Sequence, residues 1–392
     1  MCSLIPLAGC STASRSRAPD WTAVDAKSRP MEIEHVSEEI PLAPPPGPPV
    51  LPPPAHPATN NYAGTWISLE RWCHDSGAGA FHRISPSPAE VFSVSTSNGT
   101  LVIQPKTQVA KWDGLQLSLG FEPQLINGQL FVHTLDLKKN IEPLIHPFAV
   151  PAKPGRVIVI DPGHGGTNTG TTNIIDGVNE KEFTLDWADR LKARLAASGW
   201  EVFLTRTNDA DISLANRVAF ADEHKADLFI SLHFNSAAPN QRQAGLETFC
   251  LTPPGMPSTL TRGYEDDASQ VFPNNGYDAE NLQLAFRLHQ AVLKESGLAD
   301  RGVRRARFLG VLRGQSRPAV LIEGGYLSNP QEARRIADPD YREKLAEAVA
   351  QALLPKPESG SSEPRNETPA SEPSTSPSRQ SPNPPSTNTL SH

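Results

Sequence analysis

Cysteine is scarce in this chain: Cys2, Cys10, Cys73 and Cys250 are the four among 392 residues. No two are spaced as C-x-x-C, which speaks against a thiolate metal site and against a disulfide framework. A bridge between Cys73 and Cys250 stays open at this level. No apolar run reaches about 18 residues, so nothing reads as a membrane-spanning helix. Basic residues are outnumbered, 36 Lys and Arg against 43 Asp and Glu for a net charge of −7, and no basic stripe offers itself to nucleic acid. Apolar residues are only 38% of the chain, while its 39 prolines are about twice the usual share. Part of the chain therefore has too little to bury and is expected to be disordered. The length allows one large domain and something smaller.

The poorly packing parts lie at the two ends. Leu7-Ala8-Gly9-Cys10 resembles a bacterial lipobox, so residues 1–10 read as a lipoprotein signal with Cys10 as the lipidated residue. Only nine residues precede that cysteine and no positive n-region is among them, short for such a signal. Ser11, rather than an aspartate, would favour the outer membrane of a cell that has one. Residues 11–60 end in a proline-rich run, a composition that forms extended polyproline II and makes a semi-rigid tether. Residues 355–392 are mostly Pro, Ser, Thr and Asn and are expected to be a disordered tail.

Residues 62–150 read as a small, mixed β-rich accessory domain. Trp66 to Leu69 opens it. Val91–Ser95 and Leu101–Gln104 flank Asn98-Gly99, a hairpin signal, and Asn127-Gly128 separates two further apolar pieces. The I-N-G-x-x-F-V segment resembles the small repeat module found at the N-terminus of some copper amine oxidases and in bacterial envelope proteins. His74, His82 and His133 show no metal-ligand spacing and read as ordinary histidines.

From Pro151 to Leu354 strands alternate with helices, which implies an α/β domain: a mainly parallel, twisted sheet with helices on both faces. Val157–Ile160 is a run of four β-branched residues, the pattern of a strand buried on both faces. Phe183, Trp187, Leu191 and Leu195 make one apolar stripe on a helix over 179–198, with Asn179 and Glu182 arranged as a capping box. Further strands are expected at 201–205, 227–232, 245–251, 308–312 and 319–322, and helices at 213–225 and 279–296. Asn329-Pro330 and Asp338-Pro339 read as caps of two last helices. Thr252–Tyr277 is a long connection over the active edge, a place where loops carry function.

The chemistry collects at the carboxyl ends of the strands, where open α/β sheets bind ligands. Asp161-Pro162-Gly163 ends the first strand abruptly and delivers His164 to that edge. His233 follows a second apolar strand and Glu323 a third. Two imidazoles and a carboxylate make a three-ligand set with a fourth position left for water, the open geometry of catalytic zinc. Glu180, at the mouth of the first helix, supplies the carboxylate; an acid favoured by a helix N-terminus is its plainer reading, and Glu182 competes for the role. A carboxylate straight after an apolar strand is costly, so Glu323 is the candidate general base, unless an arginine such as Arg304 or Arg206 pairs with it. Asp161, Arg206 and Arg217 read as structural, and Asn235 as a support of the site.

I-D-P-G-H-G-G (160–166), N-E-K (179–181), L-T-R (204–206), N-R-V-A-F-A-D (216–222), A-D-L-F-I-S-L-H-F-N (226–235) and A-V-L-I-E-G-G-Y-L-S-N-P (319–330) resemble, in order, the zinc-dependent N-acetylmuramoyl-L-alanine amidases of the amidase-3 type. The resemblance implies one Zn2+ held by His164, Glu180 and His233, and Glu323 as the catalytic residue. It implies peptidoglycan as substrate, cut between N-acetylmuramic acid and L-alanine in wall remodelling, in the periplasm or elsewhere outside the cytoplasm, with an envelope activator as a further partner. Gly324-Gly325 departs from the family's frequent Thr-Gly, and the 252–277 loop is longer than usual, which bears on substrate access. A different zinc hydrolase such as a wall peptidase would share the metal chemistry, and a non-catalytic wall-binding protein would lack a ligand or the base. A phosphate-binding reading of the glycines at 163–170 lacks the G-K-[ST] it would need.

Overall fold

The computed structural model describes residues 65–85, 90–146 and 155–354. The lipobox-like start, the proline-rich tether and the tail fall outside the described residues. So does the boundary expected at 150 and 151.

Three apolar segments build the centre of the molecule: β9 (Val157–Pro162), β11 (Leu228–Asn235) and β14 (Ala319–Tyr326). They pair in parallel, β9 with β11 and β11 with β14, and β10 (Glu201–Leu204) adds to the free side of β9. Side chains alternate between two apolar cores, as strand geometry requires. Ile158, Ile160, Ile230, Leu232, Val320 and Ile322 enter the larger core. Val159, Phe229, Ala319 and Leu321 enter the smaller one. Helices α4 (Glu180–Ala197), α6 (Asp278–Ser296) and α9 (Pro339–Leu353) supply buried residues to the large core. The small core takes Ala221 from α5 (Leu214–Glu223) and Val311 and Leu312 from α7 (Gly310–Arg313). Helix α8 (Pro330–Ala337) is capped by Asn329, and α9 by Asp338, each followed by proline.

The sheet does not stop at the parallel strands. Beyond β14 lie β12 (Leu246–Cys250), antiparallel to it, and β13 (Asp300–Arg305), parallel to β12. β13 then pairs with β6 (Leu115–Ser118), which leads into an antiparallel meander of β5 (Val109–Trp112), β4 (Gly99–Ile103), β3 (Val91–Thr96) and β2 (Ala80–Ser85). A separate three-stranded sheet of β1 (Trp66–Ser68), β7 (Gln124–Ile126) and β8 (Gln129–His133) accompanies helix α1 (Leu69–Ser76). Asn127 and Gly128, both at positive φ, make the two-residue turn between β7 and β8. The chain continues from β8 through two short helices, α2 (Thr134–Asp136) and α3 (Glu142–Ile145).

The strands between Ala80 and Ser118 thus belong to the same eleven-stranded sheet as the α/β part, rather than to a module set apart from it. The joint is polar and close. The Gln116 backbone N–H donates to the Asp300 carboxylate at 2.8 Å, and the Gln116 side-chain amide donates to the Asp300 carbonyl at 2.8 Å. Asp300 also pairs with the buried His289 of α6 at 3.0 Å. Everything described up to Leu354 forms one compact unit.

Three local expectations are corrected. Residues 308–312 form no strand: Phe308 and Leu309 lead into the single turn of α7, Gly310–Arg313, where Val311 and Leu312 are buried; a short apolar run fits either. β13 escaped notice because D-R-G-V-R-R looks solvated, yet Arg304 and Arg305 are spent on internal hydrogen bonds. The capping box at α4 does not form: Asn179 makes no side-chain cap and instead faces the Thr172 hydroxyl at 3.3 Å. Cys73 and Cys250 are both buried and both free thiols.

Candidate active site

Each candidate residue arrives from a different element. β9 ends at Pro162, and the chain turns so sharply that His164 sits at φ 63°. A non-glycine residue in that region is strained and persists only where its surroundings enforce it. Two buried arginines do so here. Arg217 pairs with Asp161 at 2.6 Å and donates to the carbonyls of Pro162 (2.9 Å) and His164 (2.7 Å). Arg206 donates to the carbonyls of Pro162 (3.1 Å), Gly163 (2.8 Å) and Lys181 (2.7 Å). Asp161 itself accepts from Thr205 at 2.6 Å and Ser231 at 2.7 Å. Burial works against this charge, but Arg217 and the hydroxyl donors outweigh it and hold the carboxyl below its ordinary range.

His233 and Glu323 are direct cross-strand partners of β11 and β14, so both side chains stand on one face of the sheet. Glu180, the first residue of α4, reaches the same point. His164 Nε2 lies 3.1 Å from Glu180 Oε1. His233 Nδ1 lies 3.1 Å from that oxygen and 3.2 Å from His164 Nε2. The three donor atoms make a nearly equilateral triangle.

Two glycines let this cluster close. A β-carbon on Gly163 would stand 2.3 Å from the His233 ring, and one on Gly170 2.7 Å from both Glu180 and His164. Asn168 orients the first imidazole. Its Oδ1 accepts from the Gly170 N–H at 3.3 Å, so the Nδ1 of His164, 2.8 Å away, must be the donor. Nε2 of His164 then presents a lone pair to the centre. Glu180 is 3% exposed and accepts the backbone N–H groups of Phe234 and Thr171, each at 3.0 Å. Its burial favours the neutral acid, but His164 and the hydrogen bonds prevail and keep it well below the usual carboxylate range. Burial lowers His233, whereas for His164 the pull of Glu180 overcomes burial and raises it.

Two imidazole nitrogens and a carboxylate oxygen packed this closely suit a shared cation. Around a tetrahedral Zn2+ with bonds of roughly 2.0–2.1 Å, neighbouring ligand atoms stand about 3.3 Å apart. His164, Glu180 and His233 therefore fit the zinc that the sequence pattern implies, and they form the metal-capable group found among the described residues. Glu182 stays out of the group, in the first turn of α4.

Glu323 faces this triangle with Oε2 buried and without a hydrogen-bond partner. Neither Arg304 nor Arg206 pairs with it. Arg304 goes to Glu247 at 2.6 Å, and Arg206 to backbone carbonyls. Burial, reinforced by Glu180 and Glu247, pushes the Glu323 carboxyl up to about 8, with Arg262 opposing. Asn235 supports the site by holding Glu247 at 2.7 Å and Arg262 at 3.1 Å. Sequence reading missed Asn168, Glu247 and Arg262. Asn168 lies four residues after His164, where a closing turn could have been sought; Glu247 and Arg262 carry no local signal. Gly324 departs from the family's threonine because a β-carbon there would stand 2.9 Å from Trp187 and 3.0 Å from Phe234.

A family model described as N-acetylmuramoyl-L-alanine amidase matches residues 158–354, the whole α/β part from β9 to the end of α9. The chain is 33% identical over 220 residues to the N-acetylmuramoyl-L-alanine amidase AmiA of Escherichia coli, covering 51% of this chain and 75% of that protein. It is 34% identical over 198 residues to the amidase LytC of Bacillus subtilis, covering 50% of this chain and 34% of that protein. The solved catalytic domain of CwlV, an N-acetylmuramoyl-L-alanine amidase from Bacillus (Paenibacillus) polymyxa, is 30% identical with a TM-score of 0.42, covering 50% of this chain and 96% of that one. By its match to that family model and to AmiA, this chain belongs to the amidase-3 family, the N-acetylmuramoyl-L-alanine amidases.

Proposed function

We propose that this chain hydrolyses the amide between N-acetylmuramic acid and L-alanine in peptidoglycan, with His164, Glu180 and His233 as ligands of one Zn2+ and Glu323 as the catalytic acid–base. The observation that carries the site assignment is the donor triangle with edges of 3.1, 3.1 and 3.2 Å, set beside a buried carboxylate. When bound there, zinc supplies Lewis acidity, polarising the amide carbonyl and bringing the pKa of a water towards neutrality.

The protein's own contribution follows from its geometry. Asn168 keeps the His164 proton on Nδ1, so Nε2 always faces the centre as a donor of electrons. The N–H groups of Phe234 and Thr171 hold Glu180 ionised and fixed. Glu323 Oε2 has room for a proton and no partner to surrender first. It takes that proton from the attacking water and returns it to the departing nitrogen of L-alanine. A carboxyl with a raised pKa can do both near neutral pH, whereas an ordinary one would be too weak a base.

The substrate places the reaction outside the cytoplasm, and lipidation of Cys10 would tether the enzyme to a membrane there. An unmodified Cys10 in the intact mass of the native protein would remove the tether. The amidase itself is tested by digesting purified peptidoglycan with the full chain, zinc-loaded, chelated, and as Glu323→Ala, with mass spectrometry of the soluble products. Stem peptides with a free L-alanine amino terminus, lost in both controls, are expected. Cuts within the stem would make the enzyme a wall peptidase instead.

A further inference from the structure

Beside Glu323 stands Arg262, a guanidinium with donors to spare. The arginines of β13 turn to internal partners: Arg301 and Arg304 each bond Glu247, at 3.2 and 2.6 Å, and Arg305 bonds Asn140 and the carbonyls of Leu251 and Lys139. Arg307 is likewise spent, on Asp266 and on the carbonyls of Pro253 and Met256. Among the described residues Arg262 donates one hydrogen bond, from a terminal nitrogen to Asn235 Oδ1 at 3.1 Å, and its side chain remains 26% exposed. A guanidinium carries five N–H donors in a planar fork that matches a carboxylate.

Its placement is built rather than incidental. Arg262 rides on the long connection between β12 and α6 and sits at φ 49°, a strained position for a non-glycine residue. The guanidinium lies over the Phe308 ring, 5.6 Å from its centroid, and Phe308 is itself stacked on Tyr264 at 5.6 Å. Tyr264 is 43% exposed, so this aromatic pair forms an accessible wall beside the arginine. The loop is anchored beneath by Asp266, which binds Arg307 and accepts the Ser258 N–H at 2.6 Å. At its inner end Arg262 comes within 3.9 Å of Glu323 Oε1, outside hydrogen-bond range. It therefore stands at the mouth of the reaction centre, partly desolvated and cationic.

We infer that Arg262 is a specificity residue that binds a carboxylate on the peptide side of the substrate, with the Phe308–Tyr264 wall holding its fork in place. This rests on the amidase reading above. A group held by Arg262, itself 3.9 Å from Glu323 Oε1, lies beside the catalytic carboxylate and so close to the scissile amide. The carboxylate assigned to it is the one on the second stem residue, the next beyond L-alanine.

The test compares N-acetylmuramoyl tripeptides that carry either a free carboxylate or a primary amide at that position. Hydrolysis is followed with the zinc-loaded full chain, and binding by calorimetry with the full-chain Glu323→Gln variant. The parent should favour the acid over the amide, and Arg262→Gln should cut kcat/KM for the acid roughly ten- to a hundredfold more than for the amide, the excess falling mainly on KM. Arg262→Lys should restore part of the preference, because it keeps the charge but not the fork. Loss of equal size on both tripeptides, or no loss on either, overturns the assignment. Absent hydrolysis by the parent together with an intact acid-over-amide ratio in binding would overturn the amidase reading and leave the carboxylate site standing.

Discussion

The two ends of the eleven-stranded sheet follow different rules. In β9, β11 and β14 nearly every residue is buried, polar ones included, because helices cover both faces. In the meander, β2 and β5 leave several of their residues exposed. The proposed site lies at the first end, where burial changes what a side chain is. Glu323, 7% exposed, becomes a carboxyl with a pKa of about 8, and Asp161 becomes a partner Arg217 cannot do without. A charge on an exposed meander face stays an ordinary solvated charge. Burial at the strand ends, not membership of the sheet, sets these carboxyls apart from the charges of the meander.

The largest effect should come from Glu323→Gln. It should lower amidase turnover about 10²–10⁴-fold, with the zinc content by metal analysis unchanged. Next is Asp161→Ala, which strands the Arg217 charge in the buried half. A loss of roughly 3–5 kcal/mol by urea unfolding is expected, against under about 0.5 kcal/mol for Lys111→Ala on an exposed position of β5. Equal losses at the two sites would break the comparison.

A pH series on metal-free protein sharpens it. Glu323 has a folded pKa of about 8 against an ordinary value of 4.5, so the folded state holds the extra proton between them. Its contribution is therefore favourable at low pH and is lost as pH rises from about 4.5 to 8, by about 1.4 kcal/mol for each pH unit crossed. Metal-free Glu323→Gln should melt progressively higher than the parent across that window. A constant gap would contradict the burial account. A smaller change is expected for Asp300→Ala at the joint, roughly 1–3 kcal/mol through its lost partners Gln116 and His289. If that variant unfolds in two steps by circular dichroism, the meander is less continuous with the sheet than its pairing indicates.

Much of the centre was readable as sequence. Val157–Ile160 announces a doubly buried strand, and the spacing of Phe183, Trp187, Leu191 and Leu195 announces α4; all four are buried in it. Where neighbours in space decide, local reading failed. Arg304 and Arg305 make β13 look solvated until Glu247 and Asn140 are placed against them. Asn179 has a cap's position in sequence but spends its side chain on Thr172.

By itself, then, the sequence determined the strand cores, the helix stripe, the abrupt end at Pro162 and the residue types at three strand ends, because period, proline and glycine act within a few residues. Tertiary structure alone decided which atoms meet. The 3.1 Å approach of His164 and His233 to Glu180 depends on the Gly163 and Gly170 cradle. The placement of Arg262 beside Glu323 depends on the long loop that carries it and on the Phe308 ring beneath it. The joint between β6 and β13 includes a hydrogen bond to a carboxylate 184 residues away along the chain. Contacts across such separations are set by packing and hydrogen-bond satisfaction, and no local pattern encodes them.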